Sequence, residues 1–126
     1  MPKLLLTPTI LLFAMLHLSQ QNNHRHIWLF ASEAGNASFT TQKSLLANAA
    51  AGLKERDILV HEVIGLKANE ALFKKYKASA QGFTFILIGK DSGEKLRSNQ
   101  PVSLEKLYRL IDAMPMRQEE MKRQGK

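Results

Sequence analysis

Any chemistry in this chain must come from hydroxyls, imidazoles, carboxylates and amines, because its 126 residues include no cysteine. That excludes a thiol nucleophile, a disulfide framework, a cysteine-ligated zinc or iron–sulfur site and a lipid-modified N-terminal cysteine. His24 and His26 lie two residues apart, so in an extended segment both rings point to one side. With His61 nearby they are the candidate metal ligands, since imidazole binds divalent metals. No carboxylate cluster accompanies them, and a solvated N-terminal segment is the competing reading. Ser103-Leu104-Glu105-Lys106 spells the Ser-x-x-Lys of serine acyl-transfer enzymes. It opens an amphipathic segment, however, and there the serine reads as a helix N-cap. Lys67, Lys74, Lys75 and Lys77 form a basic cluster offset by Glu70. Lys74 and Lys77, together with Arg117, Lys122 and Arg123, are the candidate anion-binding surface, with a plainly solvated face as the alternative. His61-Glu62 sits in a strand pattern, where neighbours face opposite sides, so the two do not form a dyad. Residues 82–90 lack the spacing of a phosphate loop. Asn36-Ala37-Ser38 is a glycosylation sequon with meaning only in a eukaryotic secretory route.

Local patterns identify the elements that must hold these groups. Residues 27–31, Ile-Trp-Leu-Phe-Ala, are continuously apolar and read as a strand buried on both faces, with Trp28 in the core. A loop over 32–38 leads into a helix over 40–54, with Leu46, Ala49, Ala50 and Leu53 on one side and Gly52 as its stop signal. A second strand covers 58–64, and strand–helix–strand order implies parallel pairing through a right-handed crossover. Asn69 caps a short helix running to Lys77, with Leu72, Phe73 and Tyr76 inward. Residues 83–88 are the strongest strand, and a turn at 90–93 returns the chain over 94–98 as a hairpin. A helix capped by Ser103 buries Leu104, Leu107, Tyr108 and Ile111 and ends at Met114-Pro115. The basic tail, 116–126, carries i,i+4 pairs and reads as a solvated or loosely docked helical extension.

Hydrophobic residues make up 44% of the chain and charged residues 23%, as in one globular domain. Its N-terminus reads as an address. Lys3 precedes an almost entirely apolar run from Leu4 to Leu16, then polar residues 20–26. That is the pattern of a signal peptide over 1–19, and the run is too short and too broken by Thr7-Pro8-Thr9 for a transmembrane helix. Cleavage after Ser19 would place His17 at the −3 position, which favours small residues, so an uncleaved anchor is the alternative. A buried N-terminal core segment is a third reading. The expected mature domain spans 27–115. The net charge of +7 points to anionic lipid headgroups or cell-wall polymers as counterparts in an envelope compartment. Nucleic acid fits poorly, since an exported protein rarely meets it.

The order βα–βα–ββα, closed by a hairpin and helix, resembles thioredoxin. The likeness becomes specific over Gly82-Phe83-Thr84-Phe85-Ile86-Leu87-Ile88-Gly89-Lys90-Asp91-Ser92-Gly93-Glu94-Lys95-Leu96-Arg97-Ser98. It continues through Pro101-Val102-Ser103-Leu104 to residues 111–117 and Met121. There the chain resembles an uncharacterised family of mostly bacterial exported proteins, a domain of unknown function. That domain also occurs in animal secreted proteins with sushi repeats or matrix-associated regions. The resemblance covers roughly 27–121 and implies an α/β, thioredoxin-like three-layer sandwich related to peroxiredoxins. It brings no established activity and no cofactor.

In redox members of that fold, a cysteine pair lies between the first strand and the next helix, where the helix dipole lowers the thiol pKa. The resemblance puts Ser32-Glu33-Ala34-Gly35-Asn36-Ala37-Ser38 there, and puts Thr84 near the position of the cis-proline that lines the thiol site, where this chain has no proline. Ser32 or Ser38 would need an adjacent base to attack a substrate; capping of the helix by Ser38 or Thr40 is the competing role. The leading expectation is a non-catalytic binding module, exported to the periplasm or beyond or anchored to the membrane. Its partner would be a protein or an anionic envelope component. The alternatives are a cysteine-free cleft enzyme, a degenerate peroxiredoxin-like oxidoreductase using Ser32, Glu33, Asn36 and Thr84, and a basic binder of anionic polymers or lipids.

Overall fold

The computed structural model describes residues 23–126, so the expected signal segment lies outside the described residues. Strand β1 (Arg25–Ala31) is followed by helices α1 (Ala37–Ala47) and α2 (Ala50–Glu55), then β2 (Ile58–Ile64) and α3 (Glu70–Lys75). A hairpin of β3 (Phe83–Ile88) and β4 (Glu94–Ser98) leads to α4 (Leu104–Asp112) and α5 (Pro115–Arg123). The four strands form one sheet in the order β2-β1-β3-β4. β1 pairs with β2 in parallel and with β3 antiparallel, and β3 with β4 antiparallel. The α/β sandwich, the parallel β1–β2 pair and the hairpin agree with the sequence patterns.

Period-2 alternation sorts side chains onto two cores. Ile27, Leu29 and Ala31 of β1, with Phe85 and Leu87 of β3, pack against Phe39, Leu46, Leu53, Leu107 and Ile111 from α1, α2 and α4. The opposite face carries Phe30, Val63 and Ile86 under Phe73 of α3, with Trp28, Tyr76 and Ile88 partly buried beside them. Trp28 is therefore half-buried, contrary to its expected place in the core. Among the described residues only the six-residue α3 shields that face, at β1's C-terminal half, and leaves the N-terminal half open.

Other elements also depart from expectation for identifiable reasons. The single helix over 40–54 is two helices that begin at Ala37. Asn36 accepts from the Phe39 N–H as N-cap, whereas Asn48 closes α1: its N–H bonds the Ser44 carbonyl and the Ala49 N–H bonds back to the Leu46 carbonyl. Gly52 is no stop signal: it lies inside α2, where a Cβ would run into the Tyr108 ring. Asn69 does not cap α3 through its side chain, which donates instead to the Ile64 and Gly65 carbonyls. Ser103 does cap α4, accepting from the Lys106 N–H at 3.2 Å. Buried Gln42 ties α1 to the approach of α4, donating to the Val102 carbonyl at 3.0 Å and accepting from its N–H at 2.6 Å.

The tail is helical and docks through two side chains, while most of its other residues are exposed. Arg117 and Glu120 of α5 are buried, and Arg25, which begins β1, is buried with them. Arg25 bonds Glu120 at 3.1 and 3.3 Å, Lys90 bonds Glu120, and Arg117 reaches Asp112 and Glu55. Arg56 makes a two-point pair with Asp112 and lies 3.7 Å over the Tyr108 ring. Residues expected outside the 27–115 core thus hold one end of the domain together.

Candidate binding site

The loop leaving β1 sits where the strand order brings it beside the approach to β3. The Ser32 N–H donates to the Gly82 carbonyl at 3.0 Å, and the Gly82 N–H donates to Ser32 Oγ at 3.2 Å. Gly82 has φ +89°, a backbone region suited to glycine. Thr84 is buried, and its Oγ1 accepts from the Ser79 N–H at 3.0 Å and from Asn99 Nδ2 at 3.3 Å. Asn36 is engaged as the α1 cap, and Glu33 is exposed. Ser32 and Thr84 therefore share this end of the sheet, while hydroxyl and amide groups stitch the two loops together. No imidazole or carboxylate hydrogen-bonds either hydroxyl among the described residues.

The histidines separate. His24 precedes β1 and lines a groove with Leu46, Leu53, Ile58 and Leu59, whereas His26 lies on the α3 face against His61. His26 Nδ1 and His61 Nε2 are 2.8 Å apart, one donating to the other. No set of three metal-ligating side chains converges among the described residues. Burial, and then the charge of His26, hold the His61 imidazole below its usual pKa.

Trp28 and His61 are register partners on β1 and β2, and their rings stack with centroids 4.2 Å apart. Tyr76 lies 4.8 Å beyond Trp28, and His26 5.1 Å beyond His61. Together with Lys75, Ile88, Gly89 and Ser92 these rings line an open groove of ≈ 630 Å³. Sequence reasoning missed this constellation. The available signal was the i, i+2 spacing of His26 and Trp28 on a strand, which the reading of 27–31 as doubly buried obscured.

The basic residues do not share one surface. Lys74 and Lys77 belong to α3 and its end, on one face of the sheet. Arg117 is 1% exposed and paired with Glu55, Asp112 and Glu120 on the other. Lys122 pairs with Glu119 at 3.4 Å, and Arg123 lies exposed in the last turn of α5.

Among solved structures, a malarial protein is 22% identical and superposes with a TM-score of 0.58 over 71% of this chain and 96% of its own. Thioredoxin-2, described as a component of malaria parasite protein secretion machinery, gives 22% and 0.59 over 73% and 84%. Chloroplastic thioredoxin z gives 18% and 0.57 over 78% and 85%. At these identities the likeness establishes the fold, which is thioredoxin-like. No curated protein matches the sequence. The pattern of one family matches residues 18–120, most of the chain, and the protein belongs to that family, the domain of unknown function DUF4174.

Proposed function

We propose that this chain is a non-catalytic binding module of the bacterial envelope that uses the thioredoxin-like scaffold without thiol chemistry. The observation that carries this reading is the loop between β1 and α1. Its polar groups bond Gly82 and cap α1, in the place where redox thioredoxins keep their cysteines. The open aromatic groove of Trp28, His61 and Tyr76 supports the second half of the reading. Half-buried rings with a few polar groups at the rim suit a shaped ligand. Export rests on the apolar run after Lys3.

The test is capture from envelope extract on the full chain at low and raised salt, with the soluble or membrane location recorded. A shaped interface keeps its partner at high salt and loses it on Trp28→Ala. Complete loss at high salt, unaffected by Trp28→Ala, would overturn the groove in favour of charge alone at Lys74 and Lys77. Disulfide or peroxide turnover that falls on Ser32→Ala or Glu33→Ala would overturn the non-catalytic reading.

A further inference from the structure

The two edges of the sheet are built differently. Along β4 the charged residues Glu94, Lys95 and Arg97 are exposed, and the register shifts at Leu87/Ile88. Arg97 also folds back to the Tyr76 and Lys77 carbonyls at 2.6 and 3.1 Å. Charges and irregularity of this kind keep an edge from pairing. β2 has no such irregularity, and its one charged residue, Glu62, is met by Lys43 of the same chain. Its seven residues, Ile-Leu-Val-His-Glu-Val-Ile, contain no proline or glycine and pair with β1 one for one without a bulge. Leu59 and Val60 are 43% and 38% exposed, and they are two of the three exposed large hydrophobic residues of the described chain.

Which backbone groups β2 offers follows from its ends. The Arg25 N–H donates to the Asp57 carbonyl, and the Gly65 N–H to the Ala31 carbonyl. Alternation along a strand then turns the N–H and C=O of Leu59, His61 and Val63 toward β1. Those of Ile58, Val60, Glu62 and Ile64 point outward, and no strand lies beside them among the described residues. We infer that this outer edge pairs antiparallel with β2 of a second copy of the chain, on a two-fold axis at His61.

Self-complementarity selects that partner and that register. A two-fold axis at Glu62 would set two carboxylates face to face, and an axis at Val60 would leave Ile64 unpaired. With the axis at His61 all seven residues pair, Ile58 against Ile64 and Leu59 against Val63. Glu62 then lies across from Val60 of the second copy. Lys43 lines the same groove as Val60 and Glu62, and it already meets Glu62 at 3.5 Å within one chain. Each Glu62 therefore finds a lysine of the other copy beside it. The interface is isologous, so the pairing closes as a dimer and does not propagate.

The absence of cysteine makes a clean test possible. His61→Cys places equivalent residues at a non-hydrogen-bonded antiparallel pair, where Cα atoms lie about 4.5 Å apart, within disulfide range. The full chain carrying His61→Cys, held in mild detergent and oxidised with copper phenanthroline, should form a covalent dimer at least about tenfold more efficiently than Val60→Cys. Val60→Pro removes only an outward N–H, so light scattering should find it folded and monomeric; if it does not fold, Val60→Lys serves the same purpose. A parent chain that scatters as a monomer at all concentrations would overturn the inference. So would a dimer that His61→Cys does not cross-link, or one that persists with Val60→Lys.

Discussion

Glu120 is the residue on which most of the buried charge depends. Burial alone would raise its pKa, but hydrogen bonds from Lys90 and Arg25, with their charges, hold it below the usual carboxylate range. Asp112 is held low in the same way by Arg56 and Arg117, against the opposing effect of burial. Removing one partner of such a cluster strands the others, which in buried sites costs about 3–5 kcal/mol. Glu120→Ala should therefore lower stability by roughly that amount in urea unfolding, because it strands Arg25 and leaves Arg117 short of a partner. Exposed Glu119→Ala should change it by less than about 0.5 kcal/mol. Gly52 makes a second prediction at this scale. Alanine is the better helix former by about 1 kcal/mol, yet overpacking against the Tyr108 ring costs about 1–3 kcal/mol. Gly52→Ala is therefore expected to destabilise, and thermal melting in parallel with Tyr108→Phe measures how much arises at the hydroxyl.

At the scale of elements, the two asparagines before helices do different work. Asn36 satisfies a helix-end N–H, so Asn36→Ala should cost about 1 kcal/mol, and Asn36→Ser should recover most of it. Asn69 holds the exit of β2 through two carbonyls, so Asn69→Ser is not expected to rescue Asn69→Ala. Paired denaturation curves for the four variants check both statements. The strands, the hairpin and the Ser103 cap were legible in sequence because each depends on neighbours within one turn or one pleat. The division of α1 from α2 was less so. Their shared apolar spacing concealed the place where the Ala49 N–H turns back to the Leu46 carbonyl to close the first helix.

For the molecule as a whole, two sets of groups give stability the same dependence on pH at different ranges. His61 has a folded pKa below its unfolded value of about 6.5, so the unfolded chain binds its proton first as pH falls. Its contribution is present above that value and declines as pH drops through the interval down to the folded pKa. Glu120 and Asp112 also have folded pKa values below their unfolded ones, so their contribution is lost at more acid pH, starting near about 4.5 and 3.8. Chemical denaturation across pH should show a first decline below about 6.5 that His61→Gln removes. A second decline, in the acid range, should persist in that variant.

Composition and local periodicity were enough to establish an α/β domain with parallel and hairpin pairing, and the residue count alone removed thiol chemistry. Those properties depend on residue type and on spacings within a single element. Only the tertiary structure decided which polar groups are structural. It joined Arg25 to Glu120 across most of the chain, moved Arg117 from an expected basic surface into the interior, and set His26 against His61 under the open aromatic face. Burial of a charge and stacking of a ring depend on partners brought together by the sheet order, and no local pattern in the chain specifies them.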